Sequence, residues 1–194
     1  LSLYKYCKKL NSLGLKTKKK KFNIFSNLIE NSIITDEKIL NYFEFKKTIK
    51  KQLKNSKNIN LKLGETILKK NIGDYDKVII CTYSNNNVLL SKLGIKNSIL
   101  KKKRYELVEK IVVKMPSVLK KTSVVILDGN FLNFDPFLGT NYHLLSVVRE
   151  SKIEVIKKKF PDFKSPETKY LKYKFIKNIK KSNYKNFIKF GKKF

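Results

Sequence analysis

Residues 123–145, with the sequence SVVILDGNFLNFDPFLGTNYHLL, constrain the fold of this chain more than any other segment. They contain three short apolar runs, at 124–127, 131–134 and 142–145, separated by an Asp-Gly pair and then by an Asp-Pro pair and a glycine. Asp-Gly between apolar runs is a strong hairpin signal, and Asp-Pro favours the start of a turn. The segment therefore predicts three short antiparallel strands.

Apolar residues at helical spacing predict several helices elsewhere in the chain. The clearest begins at Asn41, where Glu44, three residues on, completes a capping-box pair. Alternating or continuous apolar runs predict strands. The predicted helices are 2–10, 41–55, 88–93 and most of 166–190, and the further predicted strands are 28–36, 59–63, 66–69, 76–83, 105–113 and 147–156.

The run DKVIICTY at residues 76–83 is almost continuously apolar, which is typical of a strand buried on both faces of a parallel sheet. With the antiparallel strands that follow residue 105, it predicts an α+β fold with α/β character at its start. The order of helix 41–55, strand 59–63 and strand 76–83 resembles the last part of a Rossmann-like, dinucleotide-binding layer. In such layers the carboxyl ends of the strands face the ligand.

The charge of the chain is strongly basic, with 45 lysine and arginine residues, 15 acidic residues and a formal net charge of +30. Only Arg104 and Arg149 are arginine. One interpretation is a surface that binds polyanions, since these side chains neutralise phosphate. The other is compositional drift in an AT-rich genome, because dedicated nucleic-acid readers favour arginine for bidentate contacts. The sequence leaves both interpretations open.

Cysteine and histidine usage gives no sign of a metal site. Cys7 and Cys81 lack a spacing such as C-x-x-C and are predicted to be buried thiols, and no acidic cluster surrounds His143, the only histidine. No apolar run approaches the ~20 residues of a membrane-spanning helix, and the first residues show no signal-peptide pattern. These features predict a cytoplasmic protein without a membrane span.

Three segments, taken in order, resemble FAD-dependent oxidoreductases of the D-amino-acid-oxidase type, in a bacterial branch of that superfamily. The run YDKVIICTYSNNN at 75–87 is similar to a late strand of the family's flavin-binding domain. The segments YELVEKIVVKMP at 105–116 and LDGNFLNFDPFLGTNYHLLSVVRESKIE at 127–154 are similar to its antiparallel substrate-side sheet. The resemblance extends over residues 28–156 in order and spacing.

The resemblance implies FAD as the cofactor and an amine or amino-acid substrate, whose C–N bond gives a hydride to the flavin. It implies a remnant of the FAD-binding domain with part of the substrate domain over 1–100, an antiparallel substrate-domain sheet over 101–160 and a basic helical segment over 161–194. The family's G-x-G-x-x-G signature is missing, and the first apolar positions read as the middle of an amphipathic helix. The chain is therefore interpreted as a fragment of a longer enzyme.

The resemblance also implies which residues lie near the ligands. Thr82 and Tyr83, at the end of the predicted strand, are candidates for contacting the cofactor. Arg104, Tyr142 and His143 are candidates for binding the substrate. Arg149 is a further candidate for its carboxylate, because arginine holds carboxylates bidentately. The flavin performs the chemistry in this family, so no catalytic residue is assigned.

Each candidate also has a structural interpretation. Thr82 can cap the next helix, and Tyr83 and His143 can belong to the core. Arg104 and Arg149 can form surface ion pairs. Other polar residues are interpreted as structural only. Asn85 to Asn87 are expected to cap a helix. Asp128 and Asp135 are expected to form turns.

Two other functions stay open. Lysines alternate with aromatic residues in YLKYKFIKNIKKSNYKNFIKF at 170–190, where rings could stack on bases, so a basic nucleic-acid-associated protein is the second hypothesis. Lysines gathered on one face among aromatic residues would favour binding, and lysines spread evenly would favour drift. The third hypothesis is a noncatalytic remnant that folds without a cofactor site.

Overall fold

The computed structural model describes residues 2–67, 72–127, 130–172, 179 and 182–194. These residues form two compact units, each built from separate stretches of the chain. The first unit comprises the described residues of 1–47, 111–147 and 184–194, and the second unit those of 48–110 and 148–183. The chain passes between the units more than once. The contiguous domains implied by the resemblance stay a prediction.

The predicted helices at 2–10, 41–55 and 88–93 are confirmed, with ends that differ by one or two residues. In the described residues the α-helices are α1 (Leu3–Ser12), α2 (Tyr42–Asn55), α3 (Asn86–Lys92) and α4 (Tyr184–Gly191), and 3-10 turns cover Tyr83–Asn85, Ser117–Leu119 and Pro166–Lys172. The Asn41 side-chain oxygen accepts hydrogen bonds from the Phe43 and Glu44 N–H groups, at 3.2 and 3.3 Å, and caps α2 as predicted.

The strands form three antiparallel sheets in the part of the chain that the structure describes. They are β1 (Thr17–Lys19), β2 (Ile33–Thr35), β3 (Lys103–Val108), β4 (Ile111–Val113), β5 (Val124–Ile126), β6 (Leu132–Pro136), β7 (His143–Val147) and β8 (Lys152–Lys158). Strand β1 pairs with β2, β3 pairs with β8, and the third sheet has the order β4-β7-β6-β5. Helices and antiparallel sheets together confirm the mixed α+β class.

The three antiparallel strands predicted within 123–145 are confirmed as β5, β6 and β7. The first predicted turn, at 128–129, lies outside the described residues. The interpretation of Asp135 as a turn former is wrong, because this residue lies inside β6 and pairs in register with Leu144 on β7. Strand pairing continues through the Asp-Pro pair, and the chain turns after it instead.

The core of the first unit lies on one face of the four-stranded sheet. Side chains alternate along β6 and β7, so that Leu132, Phe134, Leu145 and Val147 are buried on this face. Helix α4 packs there through Phe187, which is completely buried. The Leu132 side chain lies 3.4 Å from the position that a β-carbon on Gly191 would occupy, so the end of α4 also contacts this face.

The second unit is centred on the β3–β8 pair, which buries Tyr105 and Leu107. The Tyr105 hydroxyl donates a hydrogen bond to the Lys159 carbonyl oxygen at 3.0 Å. The Glu154 carboxylate accepts bonds from the backbone N–H groups of Lys164 and Ser165, at 3.0 and 2.7 Å, and so fixes the chain that leaves β8. Polar contacts supplement a small apolar core in this unit.

The predicted buried parallel strand at 76–83 is wrong. Residues 76–82 form no strand, and Ile79 is 87% exposed. A continuous apolar run becomes a buried strand only where neighbouring strands accept its backbone hydrogen bonds, and no described strand pairs with this segment. No parallel pair occurs among the described strands, so a Rossmann-like layer stays a prediction.

Two more predicted strands differ from the structure. Residues 59–63 form no strand, and the partner predicted at 66–69 lies partly outside the described residues. The single strand predicted at 105–113 is divided between β3 and β4, which belong to different sheets. Glu109 follows β3 and still bonds to the turn before β8, because its N–H donates to the Ser151 carbonyl oxygen at 2.8 Å. Apolar alternation continues across residues 109 and 110 and does not indicate that the strand ends there.

Other predicted strands are confirmed only in part. The strand predicted at 28–36 is reduced to β2, and the strand predicted at 147–156 is reduced to β8 after a turn at 148–151. The helix predicted at 166–190 corresponds to a 3-10 turn and α4, with residues outside the described part between them. Cys81 is exposed and Cys7 is half-buried, so the prediction of two buried thiols is wrong for Cys81.

Candidate functional site

Thr82 and Tyr83 lie on the turn that leads into α3, in the second unit. The Thr82 N–H and hydroxyl both donate to the Asn86 side-chain oxygen, at 2.7 and 2.9 Å. The hydroxyl thus holds the turn together and makes no side-chain capping bond to the helix backbone. The interpretation of Thr82 as a helix cap is therefore wrong. For its hydroxyl to donate to a cofactor instead, the hydroxyl has to give up its hydrogen bond to Asn86.

Tyr83 presents its ring to solvent. The side chain is 91% exposed, so the alternative that placed Tyr83 in the core is wrong. Its backbone φ of 53° is left-handed, a conformation that residues with a β-carbon seldom adopt. The Thr82–Asn86 bonds hold the turn in this strained form. An exposed ring on a fixed turn is suited to stacking against a flat ligand.

Arg104 forms a surface ion pair in the second unit. Its guanidinium Nη2 lies 2.7 Å from Glu106 Oε1 on the same strand, and Lys152 Nζ lies 3.3 Å from the same oxygen. The Arg104 side chain is 62% exposed, so such a pair contributes at most about 1 kcal/mol. A substrate carboxylate at Arg104 has to compete with Glu106. Arg149 is exposed in the turn between β7 and β8.

Tyr142 closes the turn between β6 and β7 in the first unit. Its carbonyl oxygen accepts from the Phe137 N–H at 2.9 Å, and its own N–H donates to the Thr140 hydroxyl oxygen at 3.1 Å. The left-handed Gly139, with φ of 85°, lets the chain reverse here. The Tyr142 side chain is 48% exposed, which leaves it able to contact a ligand.

His143 lies in the core of the first unit, with 2% of its surface exposed. Its Nε2 is 3.0 Å from the Leu119 carbonyl oxygen, which can only accept, so Nε2–H donates. The ring packs edge-on against Phe134, with 6.2 Å between the ring centres. Nδ1 is buried and has no hydrogen-bond partner in the described structure. The residue therefore ties β7 to the turn at Leu119, and a substrate contact from it stays a prediction.

The role of His143 in stability can be tested with two substitutions. His143→Leu removes the donor to the Leu119 carbonyl oxygen, which also accepts from the Thr122 N–H at 3.0 Å, and we expect a loss of about 1 kcal/mol in unfolding free energy. His143→Gln places an amide N–H near the former Nε2 and should lose less. Urea titrations of both variants measure the difference. A more stable Leu variant would mean that the unpartnered Nδ1 outweighs the bond.

The candidate residues are divided between the two units: Thr82, Tyr83 and Arg104 belong to the second, and Tyr142 and His143 to the first. Within the second unit, Asn87 links the turn to the strand that carries Arg104. Its buried side-chain amide donates to the carbonyl oxygens of Lys101 and Lys159, at 3.0 and 2.7 Å. The start of α3 is therefore fixed beside the start of β3 and the end of β8.

Sequence reasoning interpreted Asn87 as one of three helix caps and missed this bridging role. A helix-capping oxygen and a buried bridging amide use the same residue type, so composition alone cannot separate them. The only available signal was position, because Asn87 directly precedes the apolar residues 88–90 of α3.

A second missed feature is a chain of polar contacts on the first unit's sheet. The Asp135 carboxylate accepts hydrogen bonds from the Ser123 hydroxyl and, at 2.8 Å, from the Asn133 side-chain amide. The Ser146 hydroxyl donates to the Asn133 side-chain oxygen. The alternation of β6 places Asn133 and Asp135 on the face opposite Leu132 and Phe134. Both carboxylate oxygens are occupied, so the cluster is a structural link across the strands.

The described residues fit only part of an FAD molecule. An exposed ring at Tyr83 can contact a flat group, but a pyrophosphate needs a glycine-rich turn at a helix N-terminus. Glycines 14, 64 and 73 have nothing within 4 Å of the place where a β-carbon would stand, so none of them lines a close cradle. The described residues therefore offer a surface for a flat ring but no cradle for the pyrophosphate.

Metal and membrane sites are also absent from the described residues. No group of three or more His, Cys, Asp and Glu side chains is arranged to hold a metal ion there. The described helices are too short or too polar to cross a membrane.

Comparison with protein-family models, with curated proteins and with solved structures finds no match for this chain.

Proposed function

We propose that this chain is part of an FAD-dependent oxidoreductase that acts on an amine or amino acid. The observation that supports the proposal is the sheet β4-β7-β6-β5 together with the β3–β8 pair. These antiparallel strands occupy the residues, 103–158, where the resemblance to the D-amino-acid-oxidase type implies an antiparallel substrate-side sheet. The flavin would take a hydride from the carbon of a C–N bond.

In this proposal Tyr83 contacts a ring of the cofactor, and the Thr82 backbone positions Tyr83. Arg104 holds a substrate carboxylate in exchange for Glu106, in the same unit as Tyr83. The pyrophosphate has to be held by residues other than those described, because none of them forms a cradle for it. The assignment of 1–100 to a remnant FAD-binding domain belongs to the same proposal.

The direct test is to express the complete reading frame that contains this chain and to measure bound flavin. We expect a yellow protein that releases FAD on denaturation, with the flavin spectrum bleached by an amine or amino-acid substrate under anaerobic conditions. A folded, colourless protein that takes up no added FAD would overturn the proposal. That result would favour a noncatalytic remnant.

A matched pair of variants tests the role of Tyr83 in that protein. Tyr83→Asn keeps a residue that tolerates the left-handed backbone but removes the ring, and Tyr75→Asn removes another exposed ring from the same segment. Loss of one aromatic stack should weaken FAD binding by up to about tenfold for Tyr83→Asn. Tyr75→Asn should bind as the parent does. Equal affinities for all three proteins would remove Tyr83 from the site.

A further inference from the structure

The first unit carries a concentrated positive charge on residues 16–32, here called the basic loop. It contains five lysines and one acidic residue, Glu30. Strands β1 and β2 close its neck, where the Lys20 N–H donates to the Ser32 carbonyl oxygen at 3.1 Å. Asp36 lies at the neck, where its carboxylate accepts from the Lys16 backbone N–H at 2.8 Å. The loop is therefore a structured, basic element.

The basic loop surrounds a cleft of about 610 Å³. Its lining includes Lys19, Lys20, Lys21, Phe22, Phe25 and Glu30, together with asparagine and serine side chains. Lys20 Nζ lies 5.3 Å from the centre of the Phe22 ring, which is a cation–π distance. Positive charge, amide donors and the Phe22 ring thus line one concave surface, and Phe25 joins that surface to the core.

The end of α4, taken here with the residues 192–194 that follow it, adds to the same surface. The Ser26 N–H donates to the Phe194 carbonyl oxygen at 2.5 Å, and the Ser26 hydroxyl donates to the Lys193 carbonyl oxygen at 2.7 Å. Residues 184–194 contain four lysines and no acidic residue. Lys193 Nζ lies 5.4 Å from the centre of the Phe190 ring, so the pairing of a lysine with a phenylalanine is repeated here. These contacts bring two basic segments, far apart in sequence, to one side of the unit.

We propose that the basic loop and the end of α4 bind the sugar–phosphate backbone of single-stranded nucleic acid. Lysine ammonium groups neutralise phosphates as point charges, and the Phe22 ring, which is not among the residues packed against the core, can accept an unstacked base. A single strand can stack its bases on an aromatic ring, whereas a duplex keeps its bases stacked inside the helix. No arginine lies in either segment, so bidentate readout of guanine is absent and binding is tolerant of sequence.

A competing ligand is an anionic membrane, since the basic loop also exposes Leu28 at 66%. Charge alone is a further alternative, because any chain of +30 attracts anions. A useful experiment therefore has to separate a local surface from the total charge, and a nucleic-acid strand from a lipid surface.

The test compares two variants with the same change in charge. Lys19→Gln/Lys20→Gln/Lys21→Gln alters the basic loop, and Lys101→Gln/Lys102→Gln/Lys103→Gln alters three exposed lysines of the second unit. Both are titrated with fluorescent oligo(dT) over a range of salt concentrations around 0.15 M. For the loop variant we expect the affinity for oligo(dT) to fall at least about tenfold. The slope of log K against log salt should also shrink by about 2, because each of three lost phosphate contacts contributes about 0.7 to the slope.

The control variant should lose less than about threefold. Equal losses in the two variants would show that net charge alone attracts the oligonucleotide, and would overturn the proposal. Tighter binding to a duplex of the same length, or to phosphatidylserine vesicles, would overturn it as well. If the loop variant unfolds, Lys192→Gln/Lys193→Gln probes the same surface from α4, with an expected slope change of about 1.4.

Discussion

Replacing Phe187 by alanine is expected to lower the free energy of unfolding of the first unit by about 3–5 kcal/mol. Phe187 is the largest side chain that is completely buried among the described residues, and it joins α4 to the sheet β4-β7-β6-β5. Its removal leaves a cavity that the strands cannot fill without losing their pairing. A urea titration followed by circular dichroism measures the effect.

The control for this prediction is Ile188→Ala, one residue along the same helix. Ile188 is 38% exposed, so its truncation removes less buried surface, and we expect a loss of about 1 kcal/mol or less. Similar losses in the two variants would mean that α4 does not pack through Phe187. They would also remove the structural basis for the Ser26 contacts at the end of that helix.

Asn87→Asp is expected to destabilise the second unit by about 3–5 kcal/mol at neutral pH. The asparagine amide donates to two carbonyl oxygens, whereas an ionised carboxylate of the same shape can donate to neither and is repelled by both. With 3% of the residue exposed, water cannot compensate for the lost bonds. Urea titration at neutral pH compares the variant with the parent protein.

The pH dependence of this variant distinguishes a buried charge from a simple loss of packing. Burial and the two carbonyl oxygens raise the pKa of the carboxyl introduced at position 87 in the folded state above its unfolded value of about 3.9. The deficit in stability should therefore be small below that value and grow as pH rises towards the raised folded-state pKa. Asn85→Asp, exposed on the same turn, should show no such deficit. A pH-independent deficit for Asn87→Asp would contradict a bridging role for Asn87.

The predicted elements that proved correct depend on local chemistry. Apolar spacing and the Asn41 cap located α2, and alternation with turn pairs located β5 to β7. The strand predicted at 76–83 is wrong for the opposite reason. Its apolar composition favours a buried strand, but a strand also needs neighbouring strands to pair with, and these depend on distant parts of the chain. Thr82 and Tyr83 are cofactor-contact candidates because they end that predicted strand, and the structure places them on a turn instead.

The candidate surfaces show the same division. The sequence determined the charge of +30 and the interleaving of lysine with phenylalanine, but the Ser26 hydrogen bonds that join segments 16–32 and 184–194 exist only in the folded chain. In the same way, the sequence determined that His143 is the one histidine, and folding buried it against Leu119. Local preferences act over a few residues and can be read from the chain, whereas burial and long-range hydrogen bonds exist only after distant segments pack. For this protein the sequence by itself determined the elements and the charge, and the tertiary structure decided which side chains share a surface.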